Sequence, residues 1–379
     1  MSPMRPFGPF LLSAACSAAS TLLRPLVEKP HSGHPRRILL IELLRIGDIL
    51  VKFPTIAALR QRFPEAHITL LTTRLVQDFV EPNPNLSARI YVDDFPGWRA
   101  VVARVRTLNA DTALILDQKP ASAALALLSG APTRVGYDYR GLGGFMTHAV
   151  PCPGYINRPS WDYPPGERVL STIEYWLRLL EPLGVHAPPT RPRLFLSKRD
   201  RESARQLLGQ GQRPVCLHPG ASSSSYEWHP DRFAEVAARL SDGMDVRIAI
   251  TGSQADVQKA AHIAALARRD VLNLAGKTTL GQLAAVFERA ALLISVDTSA
   301  AHIGAALGVN TVVLFGAGDP RIWGTYGELD SSRGRYVAIQ GKSECLICKS
   351  PTCRRPQHHC MDAITVEMVL DAARKLLGD

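Results

Sequence analysis

No G-x-G-x-x-G fingerprint occurs in the 379 residues, which argues against an ordinary NAD-dependent dehydrogenase. Gly276-Lys277-Thr278 imitates the tail of a P-loop, but Val271 stands where that loop needs its first glycine. Lys277 therefore reads as a turn or surface residue. Cysteine is scarce: seven residues, too few and too uneven for a disulfide framework over the whole chain. Aromatic residues make up 7%, and no basic run interleaves with them, so a nucleic-acid surface is not indicated. The net charge of +10 still fits an anionic partner: a nucleoside diphosphate, a phosphorylated glycan or an acidic membrane surface. With 46% hydrophobic and 21% charged residues the composition is globular, and the length allows two α/β domains.

The start of the chain is too short and too polar to span a membrane. Phe10-Leu11-Leu12 and the small residues 14–19 resemble a weak signal-peptide core, but one arginine precedes them and serines interrupt. Leu22, Leu23, Leu26 and Val27 instead suggest a short amphipathic helix that packs on the protein or touches a membrane face. The expected setting is the cytoplasm, peripheral to the inner face of the membrane.

From Arg36 onward, apolar strand-like runs alternate with helical patterns. In the first half, residues 38–44, 67–72, 90–92, 112–116 and 134–137 read as strands, 49–63 and 121–128 as helices. Residues 154–165 form a loop and 167–183 a helix with Ile173, Trp176, Leu177 and Leu180 inward. The proline-rich run 187–192 reads as a linker. The second half repeats the pattern with strands at 215–218, 246–250, 271–274, 292–296 and 311–315, and 364–377 forms a last helix that returns toward the first domain. This is an α/β chain of two doubly wound domains.

Two strand ends carry chemistry. Residues 38–44 discharge into Arg45-Ile46-Gly47-Asp48, and residues 292–296 into Asp297-Thr298-Ser299-Ala300-Ala301-His302. Open α/β sheets bind ligands beyond the carboxyl ends of their strands, where helix N-termini collect anions. Asp48, after Gly47, can take a proton from an attacking hydroxyl, or can simply cap the following helix. Arg45 can anchor an anionic acceptor or orient Asp48, or form a salt pair. The amides and hydroxyls of Thr298, Ser299 and Ala300 suit a diphosphate, while Asp297 suits sugar hydroxyls. His302 faces either ligand or core. Ser222 and Ser223 open a run of four serines that wraps a phosphate or forms a polar loop. Gly252 and Gly276 follow strands and border a nucleotide or only make turns.

Taken together, Arg45-Ile46-Gly47-Asp48, His218-Pro219-Gly220-Ala221, Trp228 with Pro230, Val296-Asp297-Thr298-Ser299 with His302, Phe315-Gly316, Asp319-Pro320, Trp323-Gly324 and Tyr326-Gly327 resemble the heptosyltransferases of lipopolysaccharide synthesis, glycosyltransferase family 9. The resemblance runs over residues 36–369. It implies a GT-B architecture of two facing Rossmann-like domains with a central cleft. The expected boundaries are an N-terminal extension, 1–35; an acceptor-binding domain with linker, 36–190; a nucleotide-sugar-binding domain, 191–344; and a cysteine-rich segment with a crossover helix, 345–379. It further implies an inverting enzyme without catalytic metal or cofactor, an ADP-sugar co-substrate, typically ADP-heptose, a saccharide, lipopolysaccharide-core or other hydroxyl acceptor, and Asp48 as general base. Tyr226 stands where many members carry a lysine near the donor phosphates, a departure that touches leaving-group stabilisation and donor identity. A nucleotide-sugar epimerase on the same architecture, or a non-catalytic glycan- or nucleotide-binding relative, are the competing readings.

Cys345, Cys348, Cys353 and Cys360 crowd one segment. Thiolates at these intervals can converge on a structural Zn or Fe, with His358 and His359 nearby, or can stay reduced and buried. Some autotransporter heptosyltransferases resemble this chain in carrying an iron-holding finger, with different spacing.

Overall fold

The computed structural model describes residues 34–43, 45–157, 163, 168–244, 246–267, 271–324, 326–329, 334–343, 347–353 and 359–378. The expected amphipathic helix before residue 34 lies outside them. By compactness the chain divides into two units. One takes the described residues up to Pro153 with Glu174–Pro188, the other Gly154–Ile173 with Pro189–Asp379. The division is thus discontinuous: residues 154–173 group with the second sheet, although they precede the proline-rich run.

The first unit is built on a parallel sheet of β1 (Arg37–Ile41), β2 (His67–Thr72), β3 (Ala88–Tyr91), β4 (Thr112–Ile115), β5 (Thr133–Asp138) and β6 (His148–Pro151), in the order β3-β2-β1-β4-β5-β6. Strand β1 is buried from Ile38 to Ile41 because both faces are covered, so its apolar run is continuous rather than alternating. Its register pairs Leu40 with Leu70 of β2 and with Leu114 of β4. Leu39, Ile41, Leu71, Ala113, Ile115, Ala123 and Ala126 form the core on one face. Each fully buried Leu or Ile contributes roughly 1.5–3 kcal/mol by leaving water.

The second unit repeats the topology with β7 (Val215–His218), β8 (Ile248–Ile250), β9 (Val271–Asn273), β10 (Leu292–Val296), β11 (Thr311–Phe315) and β12 (Tyr336–Gln340), ordered β12-β11-β10-β7-β8-β9. Counted within its own unit, this is the same order as the first, 3-2-1-4-5-6, the dinucleotide-fold arrangement of a GT-B chain. Caps fix the helices: Ser197 Oγ accepts from Asp200 N, Thr279 from Gln282 N and Thr365 from Met368 N.

The structure differs from the sequence reading at identifiable places. The helix expected over 49–63 is two, Ile46–Leu50 and Phe53–Arg62, because Pro54 has no N–H and its ring crowds the carbonyl four residues back. The helix expected over 167–183 is Thr172–Leu177 followed by a 3-10 turn, Arg178–Leu183, which contains Pro182. The edge strands β6 and β12 carry weak patterns, since an edge is covered on fewer sides and one of them ends in proline. The last helix, Val366–Leu377, places Val369, Leu370 and Ala373 in the core of the second unit, beside Val236, Leu292 and Val312. Its apolar stripe at three- and four-residue spacing meets that unit's own sheet.

Candidate functional site

In each sheet the strand order reverses beside the first strand of the unit, so a crevice opens beyond the carboxyl ends of β1 and β4, and another beyond those of β7 and β10. Arg45, Gly47 and Asp48 lie at the first crevice. Asp297, Thr298, Ser299, Ala300, Ser222 and Ser223 lie at the second.

At the first crevice the chain leaves β1 through Glu42 and Leu43 and enters the short helix Ile46–Leu50, which contains Gly47. Asp48 Oδ2 accepts the Arg45 N–H at 3.2 Å, so this acid does stabilise the helix start. Its Oδ1 makes no hydrogen bond among the described residues, and the side chain is half-buried. Arg45 is exposed and forms no ion pair among the described residues.

Beneath this loop lies a buried set of charges that the sequence reading missed. Glu42 and Lys52, 1% and 0% exposed, form an ion pair, and the Lys52 ammonium sits 4.3 Å from the Trp176 ring centre. Burial pushes the Glu42 carboxyl up to about 8, against the pull of Lys52 and with added repulsion from Asp117 and Asp48. Asp117, at the end of β4, accepts from Leu43 N at 3.0 Å, Lys119 N at 2.9 Å and Ser122 Oγ at 2.7 Å. Lys119 Nζ donates to the Leu43 carbonyl, so the peptide entering the Asp48 loop is held on both sides. A signal was present: Glu42 interrupts an apolar run, and Asp117 closes another.

At the second crevice, Thr298 is the extended N-cap of the helix Ser299–Leu307 and makes no side-chain cap hydrogen bond, which leaves its hydroxyl unspent on the helix. The first amides of that helix have no intrahelical acceptor. Only part of Asp297 reaches solvent, and loss of water around its carboxyl pushes it up to about 7. Gly318 makes room for it: a Cβ there would stand 2.1 Å from Asp297 Oδ2. His302 is buried at 5% exposure, with Nδ1 2.6 Å from the Tyr326 hydroxyl and its ring tilted on Trp323.

Across this crevice, His218 ends β7 with Nδ1 3.0 Å from Thr251 Oγ1, and burial lowers it to about 4, keeping it neutral. In the serine run Ser222 is exposed and Ser223 half-buried, whereas Ser225 is buried and donates to the Ser350 carbonyl. Tyr226 closes the 3-10 turn Ser224–Tyr226, and the following Glu227 pairs with Lys259 at 2.6 Å. Gly252 packs against Asp256, whose Cβ would lie 2.7 Å from an added Cβ. Gly276 adopts φ +71° and donates its N–H to the Gly252 carbonyl at 3.0 Å.

The cysteine segment does not form a metal centre among the described residues. No three His, Cys, Asp or Glu side chains there converge as ligands. Cys360 is buried in the apolar core with Met361 and Ile364, as a small hydrophobic side chain would be. Cys348 and Cys353 are half-buried, and Cys345 and His358 lie outside the described residues. Among the described residues no helix is long and apolar enough to cross a membrane.

Comparison with known proteins converges on one family. The sequence profile of glycosyltransferase family 9 (heptosyltransferase) matches residues 98–359. The lipopolysaccharide heptosyltransferase 3 of Escherichia coli is 26% identical over 353 residues, 88% of this chain and 96% of that protein. A family 9 glycosyltransferase structure from Veillonella parvula superposes with a TM-score of 0.75 at 22% identity, over 90% of this chain and 97% of the other. The structure of E. coli ADP-heptose lps heptosyltransferase II gives 0.72 at 21% identity, over 90% and 98%.

Proposed function

The chain belongs to glycosyltransferase family 9, and from that premise we propose that it is an inverting heptosyltransferase that moves heptose from ADP-heptose to a hydroxyl of a lipopolysaccharide-core saccharide. The observation that carries this reading is Asp48. It is a half-buried carboxylate at the carboxyl end of β1 with one oxygen on a backbone amide and the other without a protein donor among the described residues.

In the proposed reaction the acceptor oxygen attacks the anomeric carbon as its proton passes to Asp48. The bond between that carbon and the β-phosphate oxygen breaks, and the electron pair leaves with ADP. The charge that develops is met by the Thr298 hydroxyl, the Ser299 and Ala300 amides and the Ser222–Ser223 loop, so a divalent cation is not required. Asp297, close to half-protonated at neutral pH, accepts hydrogen bonds from sugar hydroxyls. His302, held by Tyr326, closes the sugar side, while Gly252 and Gly276 border the adenosine. Arg45 faces an anionic group on the acceptor. The names of the relatives above support heptose and lipopolysaccharide; the net charge of +10 supports work in the cytoplasm at an anionic membrane face.

The test is transfer itself. The full chain is incubated with ADP-heptose and a heptose-deficient core oligosaccharide, with chelator present, and the product is read by mass spectrometry for transfer and by NMR for sugar configuration. A heptosylated product of inverted anomeric configuration is expected. Sugar isomerised at C2 without acceptor, or no conversion with any nucleotide sugar, refutes the proposal.

A further inference from the structure

Beyond the crevice residues already described, the second unit holds a cation that no part of the scheme uses. Lys349 Nζ donates to the Tyr155 carbonyl at 3.0 Å and to the Tyr163 hydroxyl, and stands 4.8 Å from the Tyr163 ring centre. These acceptors are neutral, and Lys349 makes no ion pair among the described residues. The Tyr163 hydroxyl in turn donates to Asp319 Oδ2 at 3.2 Å, and Asp319, 0% exposed, is already paired with Arg321 at 2.9 Å. Two cations therefore surround one carboxylate, and one positive charge is left over on a half-buried side chain. A charge so placed costs free energy unless an anion arrives.

Its position in the fold says where that anion lies. The loop after β11 runs through Gly316, Ala317 and Gly318 to Asp319, and it touches each neighbour in turn. Lys349 N donates to the Ala317 carbonyl at 3.0 Å. Gly318 packs on the Asp297 carboxyl, and Gly316 packs on the Ser225 carbonyl, 3.0 Å from an added Cβ. Ser225 Oγ reaches the Ser350 carbonyl. Lys349 and Ser350 are thus tied to the rim of the crevice, between the serine loop and the Asp297 loop. Ile347 and Lys349 hold φ of +61° and +52°, a left-handed backbone in non-glycine residues that costs energy and that surrounding contacts must enforce.

We propose that Lys349, delivered by the cysteine-rich segment and steadied by Tyr163, neutralises the diphosphate of the sugar donor as it leaves. This deepens the family reading and rests on it for the identity of the donor, not for the existence of an anion. Arg321 keeps Asp319 satisfied, so Lys349 is free to pivot from the phenol to a phosphate oxygen. Lysine suits the task as a compact charge on a flexible stem.

Calorimetry of the full chain with ADP, UDP, GDP and AMP, for wild type, Lys349→Met and Lys349→Arg, tests this. Lys349→Met is expected to weaken the preferred nucleoside diphosphate at least tenfold and to flatten the salt dependence of binding, with AMP changed by less than about twofold. Lys349→Arg should stay within about threefold of wild type, which separates charge from folding. A preferred diphosphate other than ADP, or binding without sugar transfer, refutes the donor or the reaction while a Lys349-dependent affinity still supports the lysine's role. Unchanged diphosphate affinity in Lys349→Met, an equal loss for AMP, or a wild type that binds no nucleoside diphosphate overturns it.

Discussion

The two crevices share one strand order and differ in how they handle charge. Beyond β1 and β4, acid and base are buried together: Glu42 with Lys52, and Asp117 saturated by two backbone amides and a serine. Beyond β7 and β10, Asp297 has no ion pair among the described residues, and loss of water pushes its carboxyl up to about 7. Topology puts a ligand site at both places. The side chains decide what each can do. A loop pinned by a filled network can hold a carboxylate at a fixed position for proton transfer. A crevice of unspent amides and hydroxyls, with a carboxyl that is partly neutral, can accept an anion without strong repulsion.

The largest expected effect breaks the first crevice by unpairing it. Lys52→Met leaves Glu42 buried without its ammonium, which should cost about 3–5 kcal/mol in denaturant unfolding at pH 8.5. The cost should shrink toward pH 5, because a carboxyl already raised to about 8 takes up a proton more readily still once the lysine is gone. The double variant Glu42→Leu with Lys52→Met should recover most of the loss. A single variant as stable as wild type at both pH values would show that the pair contributes nothing to holding the loop.

Next in size is the catalytic contrast. Asp48→Asn should lower transfer by ~100-fold or more while leaving donor affinity within about twofold, since only the acceptor's proton loses its destination. Steady-state rates together with calorimetry separate the two. A loss below tenfold, with the chemical step shown to limit turnover, would mean that Asp48 serves its helix and nothing else.

The positions of both crevices were legible in the sequence because parallel strands covered on both faces are uninterrupted apolar runs, and the residues that follow them are polar and small. Residues 38–41 and 292–296 announced themselves this way, and so did Asp48 and Asp297 after them. The partners beneath were harder to read. Lys52 sits in a helical stretch where lysine is ordinarily solvated, and only the fold brings it to Glu42, ten residues away, under Trp176. Lys349 carries no sequence signal of its own: it stands among cysteines, and its contacts with Ala317 and Tyr163 are distant in sequence. The breaks at Pro54 and Pro182 were visible in principle, as proline forbids the hydrogen bond a continuous helix needs.

The second crevice makes a pH prediction with a definite sign. An aspartate whose folded value is about 7, against an unfolded value near 3.8, costs stability once it must ionise. That cost is absent below about pH 4, grows as pH rises to about 7 and is then constant. Asp297→Asn removes it. The variant should match wild type in melting temperature near pH 4 and exceed it by a few degrees at pH 8, while donor KM worsens. A difference that is constant across pH, or that grows toward acid, would show that the Asp297 carboxyl is not raised, and the electrostatic contrast between the crevices would fall.

The smallest effect concerns how the third strand of each sheet ends. In the first unit β3 runs into a 3-10 turn whose Asp93 and Asp94 are bound by Arg74. In the second, β9 is followed by Gly276 at φ +71°, tied to Gly252 by a hydrogen bond. An added Cβ at 276 would meet Gln254 Oε1 at 2.7 Å and Val257 Cγ2 at 2.8 Å. The glutamine end can swing away, but the valine methyl sits on a helix and cannot, and alanine is strained at this φ in any case. Gly276→Ala should therefore cost about 1–2 kcal/mol in unfolding. If Gly276 only turns the chain, ADP affinity stays within about twofold of wild type. If it borders the adenosine, as proposed, the displaced Gln254 and the new methyl enter the nucleotide's space, and affinity falls by more than the stability change alone can explain. Calorimetry well below the melting temperature distinguishes the two. An unchanged Kd would make this strand end, like its counterpart after β3, a matter of folding and not of binding.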